Sequence, residues 1–396
     1  MAGLAERYLT LGLRLGRHVD GLVDSYCGPP ELAAAVEAED VVEPAALADE
    51  ADALAAELAG AEDLEPQRRG WLADQVRALG TYARVLAGEE LSYADEVEGC
   101  YGVRPERGSD DAYRAAHERL AELVPGDGPL RDRLEARRRE QAVPAERLVP
   151  AFEDLVAVLR DRTAQLVELP AGEELVAEAV RDEPWWAFNY YLGDLRSRVV
   201  LNVDVVTTAF ELVALAVHEA YPGHHTEHAV KEERLIRQLG RVEESIQLVP
   251  TPQALVSEGI AETGTDLLLD DDLERALSDV LRSHGLDHEL GRAIEVDRAR
   301  EPLRRASVDA ALLLHEEGGS PAEAQAYLER WSLSSPERAA HSVQFLLDRT
   351  WRAYVITYSA GRDLCRAYVD GDAARFRTLL TEQVRVGDLA AAAASP

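Results

Sequence analysis

Apolar residues recur every three or four positions through most of this chain. "ELAAAVEAED", "PAALADEADALAAELAGAE" and "RGWLADQVRALGTYARVLAG" show the pattern early, and "RDRLEARRREQAVPAERLVPAFEDLVAVLRDRTAQLVEL" carries it to residue 169. This spacing lines one face of an α-helix. In "LDDDLERALSDVL" (269–281), Leu273, Leu277 and Leu281 fall on one side and the acids on the other. The breaks carry Gly or Pro: "CGPP" (27–30), "VRPERGSD" (103–110), "VPGDGP" (124–129) and "LPAGEE" (169–174). Arg137, Arg138 and Arg139 stand beside Glu135 and Glu140, which predicts an exposed, self-paired helix face.

The period changes in "SRVVLNVDVV" (197–206), a β-branched run that predicts a strand. "TTAFELVALAVHEAY" follows it, and Thr208 with Glu211 forms a capping box that starts a helix at about residue 209. The pattern predicts a mainly α fold, with a short strand or small sheet preceding one apolar helix.

Composition narrows the setting. The formal net charge of −32 makes nucleic acid and anionic membrane surfaces poor partners. No run of eighteen apolar residues appears, and the first residues lack an uninterrupted apolar core, so a cytoplasmic protein without a membrane span is expected. Cys27, Cys100 and Cys365 lie far apart and form neither a C-x-x-C motif nor a disulfide framework.

The candidate chemistry sits at the end of the apolar helix, in "VHEAYPGHHTEH" (217–228). The H-E-x-x-H zinc motif places two ligands four apart on one helical face, with the Glu as general base. Here the next histidines after His218 are His224 and His225. Residues six apart on a straight helix are separated by about 9 Å along its axis, too far to share one ion. Pro222 removes an amide donor and clashes with the carbonyl of His218, and Gly223 relaxes the backbone. A kink there would return a later histidine to His218; without one, the stretch is a polar helix end beside a helix stop. Downstream, "SEGIAETG" puts Glu258 and Glu262 one turn apart on a second helix. Zinc hydrolases with two His and one Glu take the third ligand from such a later helix. The second carboxylate can orient a histidine.

These residues resemble the bacterial domain-of-unknown-function family 885, whose members carry H-E-x-x-P-G-H-H and a later E-G-W-A-type segment. "RRASVDAALLLHEEGGSPAEAQAYL" (304–328), "TWRAYVITYSAGRDL" (350–364) and "YYLGDLRSRVVLNVD" are similar to further stretches of that family. "LGLRLGRHVDGLVDSYCGPPEL" resembles its weaker N-terminal signature, and Ile260 stands where Trp is common. The likeness is specific from about residue 185 to 370. It implies a large multi-helix, peptidase-like fold with a cleft, similar in plan to all-helical zinc peptidases. Residues 1–195 would form one helical wall and 196–396 the metal-binding half. The Gly223-His224 step makes His224 the second ligand and His225 the fallback, with His228 peripheral.

The expected centre is therefore Zn2+, or alternatively Fe2+ or Mn2+, held by His218, His224 and Glu258. Glu219 would be the general base and Tyr358 the donor to an oxyanion. His315 is a further donor implied by the resemblance. Arg305 would bind a substrate carboxylate and Asn202 substrate backbone. Glu262 and Asp309 would orient a ligand and Arg305 respectively. The substrate would be a peptide or a small molecule with a peptide-like amide. Three alternatives use the same residues: a pathway enzyme acting on a non-peptide amide or ester, an iron enzyme, and a non-catalytic helical binding protein.

Overall fold

The computed structural model describes residues 3–183, 185–286 and 289–393 and is mainly helical. Five short strands interrupt the helices: β1 (Val23–Tyr26), β2 (Glu174–Val180), β3 (Ala187–Gly193), β4 (Arg196–Asn202) and β5 (Ile246–Leu248). β1 and β5 form an antiparallel ribbon, while β4 lies between a parallel β2 and an antiparallel β3. As the centre of its sheet, β4 buries Val199, Val200 and Leu201 in succession, as a strand covered on both faces does.

The strand ends at Asn202, four residues before the β-branched run does. The Asn202 amide nitrogen donates to the carbonyls of Glu183 and Trp185, and its oxygen accepts from the Asp204 amide. Every one of these bonds holds a turn, so Asn202 is not the substrate-backbone contact expected of it. The capping box is formed as the sequence indicates, and the helix Ala209–Leu215 follows it. The run 131–169 divides at Pro144 into helices Leu130–Glu140 and Ala145–Thr163, because the residue before a proline is disfavoured in helical conformation. Leu273, Leu277 and Leu281 form the buried side of Asp271–Ser283.

The boundary expected at 195/196 falls between β3 and β4, two hydrogen-bonded strands. One apolar core runs through both halves. Cross-links reinforce it: Arg68 pairs with Glu243 at 2.6 Å, and the Tyr93 hydroxyl donates to the Arg352 carbonyl at 2.9 Å.

Helix Pro252–Leu268 is central to that core, with Thr251 as its N-cap. Gly259, near its middle, lets another backbone come close. A Cβ there would lie 2.4 Å from the Gly361 carbonyl oxygen and 2.5 Å from Cys365 Sγ. Gly361 closes a π-helical turn, Thr357–Gly361, that follows a 3-10 turn at Tyr354–Ile356. The glycine pair thus seats the tyrosine-bearing turns against the helix that carries Glu258. Gly259→Ala should destabilise the protein by about 1–3 kcal/mol in urea unfolding. Gly387→Ala, where an added Cβ meets nothing within 4 Å, should show no comparable loss.

Candidate metal centre

The helix that begins at Ala209 does not continue straight through the histidines. It widens into a π-helical turn over Ala216–Ala220, breaks at Tyr221–Gly223, and resumes as His224–Lys231. Pro222, joined to Tyr221 by a cis peptide bond, has no amide to donate. Gly223 is required for space rather than for its φ of −74°. An added Cβ would lie 1.9 Å from the His218 carbonyl oxygen and 2.5 Å from that of Val217. Carbonyls released by the break find other partners, as buried backbone groups must. The Asn189 amide on β3 donates to the Glu219 carbonyl at 2.6 Å, and the Thr226 hydroxyl donates to that of Ala220 at 3.1 Å.

The break brings His224 back onto His218, and their Nε2 atoms lie 3.2 Å apart. Glu258 Oε2 is 3.5 Å from His218 Nε2, and Glu258 Oε1 is 3.8 Å from His224 Nε2. Ligands at the usual zinc distances around a tetrahedron are about 3.4 Å from one another, so the triangle has the right size for one ion. The chemistry fits as well. Glu258 Oε2 is buried and has no hydrogen-bond partner, a costly arrangement unless a cation completes it. Glu258 Oε1 accepts from the Tyr354 hydroxyl at 2.6 Å.

Both ligand histidines are held by a further layer. His218 Nδ1 lies 3.6 Å from Glu262, which pairs with Arg304 at 2.5 Å. His224 Nδ1 meets the Ser257 hydroxyl at 3.2 Å, and that hydroxyl donates to Glu227 at 2.6 Å. Glu227 in turn pairs with Lys231 at 2.7 Å. Partners of this kind fix the orientation of imidazole ligands.

Electrostatics favour neutral imidazoles. Burial, with Arg304 assisting, pushes His218 down to about 4, and burial beside His218 pushes His224 down to about 3. Burial raises Glu258 to about 8, although the Tyr354 hydrogen bond opposes it. Burial and the nearby Asp24 likewise raise Glu219 to about 8. Two acids with no cationic side chain paired to them among the described residues therefore share one buried site, and a cation would reverse their preference for the protonated form.

Two cavities meet at these residues. One, of about 170 Å³, is lined by Asp24, Phe188, His224, Glu258 and Tyr354; the other, of about 630 Å³, by Trp186, Phe210, Glu262 and Arg304. Ala187, His218, Glu219 and Tyr358 border both. Tyr358 is 41% exposed in this cleft. β3 is an edge strand of its sheet. Asn202 donates to the Trp186 carbonyl, so the alternating pattern turns the amides and carbonyls of Ala187 and Asn189 away from β4, towards the open edge.

Other expected residues lie elsewhere. His225 is fully buried between Ser197 and Glu173, each at 2.8 Å, so it is not an alternative ligand. Burial opposes ionisation of Glu173, yet His225, Tyr221 and Arg160 bring it down to about 2. His315 bonds the Leu346 carbonyl at 2.8 Å and stacks on Tyr93, bordering neither cavity, so it is not a donor to the reaction. Asp309 does not orient Arg305: it accepts from the Gly108 amide and from the Tyr113 and Tyr327 hydroxyls. Arg305 pairs with Asp363 outside both cavities. His228 stacks on His224 with ring centres 6.1 Å apart. Arg138 leaves its expected self-paired helix face, pairs with Glu211 and borders the larger cavity.

Asp24, Asn189, Ser257, Arg304 and Tyr354 are additions to the expected set. Asp24 belongs to the N-terminal stretch that resembles the family signature, and Tyr354 precedes Tyr358 by one helical turn. Asn189 and Ser257 act on groups remote in sequence, and no local pattern marks them.

No family model and no curated protein matches the chain. Among solved structures it is similar to a "putative lipoprotein" from Colwellia psychrerythraea, at 14% identity and a TM-score of 0.53, over 88% of this chain and 66% of that one. It is also similar to a "putative lipoprotein of unknown function" from Shewanella oneidensis, at 11% identity and a TM-score of 0.51, over 90% and 75% of the two chains. At these identities the likeness shows the fold alone. The chain spans just under two thirds of the Colwellia protein. No helix among the described residues is long and apolar enough to cross a membrane.

Elemental analysis should find about one divalent ion per chain, lost in His218→Ala and in Glu258→Ala. His225→Ala should lower the unfolding temperature but leave the folded fraction loaded. With its carboxyl near 8 in the metal-free protein, Glu258 must release a proton when an ion binds at pH 7, whereas the imidazoles are already neutral. Metal affinity should therefore rise about tenfold per pH unit up to roughly 8 and then level off, as measured by chelator competition.

Proposed function

We propose that the chain is a metal-dependent hydrolase, with zinc as the preferred ion, acting on peptide or peptide-like amide bonds. The observation that carries this reading is the convergence of His218, His224 and the partnerless Glu258 Oε2 beside Glu219 in one cleft. Two imidazoles and one carboxylate are the donor set of catalytic zinc sites, and the ion supplies Lewis acidity and a water acidic enough to ionise near neutral pH.

The residues of the chain divide the remaining work. Glu219 follows the ligand His218, is buried, and borders both cavities. It accepts the proton of the attacking water and returns it to the leaving amine, the general acid–base role that joins the two halves of amide hydrolysis. Tyr358, on the turn packed against the Glu258 helix, donates its hydroxyl hydrogen to the oxygen that becomes negative; a phenol does this without carrying a charge. The open edge of β3 offers the amides and carbonyls of Ala187 and Asn189 to an extended substrate, in the manner of an added strand. Trp186 and Phe210 supply apolar walls. The three unpaired cysteines suit a reducing compartment such as the cytoplasm.

The test is turnover of a peptide library by metal-loaded protein, with and without oxygen and with chelator. Oxygen-independent, chelator-sensitive cleavage supports the reading. Oxygen-dependent turnover with bound iron would replace it. Glu219→Gln should keep its metal and lose about 10²–10⁴ in kcat. Tyr358→Phe should lose about 10²–10³ in kcat, with metal content and KM little changed.

A further inference from the structure

The larger cavity contains one charge that the proposed chemistry does not use. Arg300 closes helix Leu290–Arg300 and borders the same cavity as His218 and Glu219. Its neighbours are arginines with partners. Arg138 donates to Glu211 and to the Val206 carbonyl; Arg304 donates to Glu262 and, at 3.3 Å, to Asp297. The Arg300 guanidinium has neither hydrogen bond nor ion pair among the described residues. Asp297 and Glu211 face it without pairing, and burial holds it below the usual guanidinium range despite them. Arg300 is only partly buried, and its donors, spent on no protein group, stay accessible to the cavity. Its planar fork is the geometry that grips a carboxylate with two parallel bonds.

From Arg300 in this cavity we infer that the site selects amides carrying a free carboxylate, such as the C-terminal end of a short peptide or an N-acyl amino acid. This inference rests on the hydrolase reading. A phosphate fits less well, because Glu211, Glu262 and Asp297 stand in the same wall and would repel a dianion more than a monoanion. The cavity of about 630 Å³ is of the size that takes a small ligand. With the substrate carboxylate on Arg300, Trp186 and Phe210 flank the intervening side chain. The scissile amide then lies towards Glu219 and Tyr358, where the two cavities meet.

Two acetylated tetrapeptides of sequence Ala-Ala-Phe-Ala, one ending in a carboxylate and one in a carboxamide, test this on the metal-loaded full chain. The wild type should favour the acid by about 100-fold in kcat/KM, chiefly through KM. Arg300→Met should bring that ratio close to one, with metal content unchanged. Arg300→Met should also unfold at the same or a higher temperature, whereas a purely structural arginine would leave a less stable protein. Equal cleavage of the two peptides by the wild type, or a preference retained in Arg300→Met, overturns the inference. Should neither peptide be cleaved, the peptidase reading fails separately, and equilibrium dialysis of N-acetylphenylalanine decides the subsite. Binding weakened about tenfold or more in Arg300→Met supports it, and equal binding removes it.

Discussion

The site depends on one interruption of a hydrogen-bond ladder. A continuous helix would hold His218 and His224 on different turns, facing different directions. At Tyr221–Gly223 the ladder fails: Pro222 has no proton to give, and Gly223 brings backbone against the His218 carbonyl where a methyl group could not fit. The freed carbonyls are not wasted, because Asn189 from β3 and Thr226 from the following helix take them. The small sheet is thus part of the support for the histidine pair, in addition to offering an edge. The same logic recurs on the opposite wall, where Gly259 and Gly361 let two backbones touch and set Tyr354 on Glu258. Both walls are placed by backbone contacts that only a residue without a side chain permits.

Desolvation then sets the chemical character of the cleft. Neutral imidazoles facing protonated acids make a receptor for a cation, assembled at a cost to the empty fold. Arg304 limits that cost on the Glu262 side, and Lys231 limits it on the Glu227 side. Asp24, raised by burial to about 6, has no such partner among the described residues and raises Glu219 further. Asp24 borders the smaller cavity and the Arg300 guanidinium the larger, so the two ends of the cleft offer a substrate different groups.

What was legible in the sequence followed the range of the forces involved. The capping box at Thr208–Glu211, the leucine face of Asp271–Ser283 and the carboxylate pair on Pro252–Leu268 are local, and periodicity finds them. The kink was legible too, since Pro-Gly in a helical run forbids continuation, although its cause at Gly223 is close approach and not an unusual φ. Asn202, His315 and Asp309 differ from their expected roles for one reason. Each carries hydrogen-bonding groups that chemistry could use, and each gives them to structure instead, through partners no local pattern reveals. His225 is the sharpest case. One position separates it from His224, and the helix turns it about 100°, into a buried cluster with Ser197 and Glu173 rather than into the cleft.

Lys231 is the only lysine in the chain. It lies buried against Glu227, whose pull, with that of Glu244, outweighs the effect of burial and leaves the ammonium raised above its ordinary value. It therefore ends the chain of contacts that starts at His224. Its one internal primary amine is shielded and protonated while that chain of contacts is intact. Acylation of Lys231 by an amine-selective reagent therefore requires the protein to open next to His224, and the chain carries a single-site chemical reporter of breathing at its own centre.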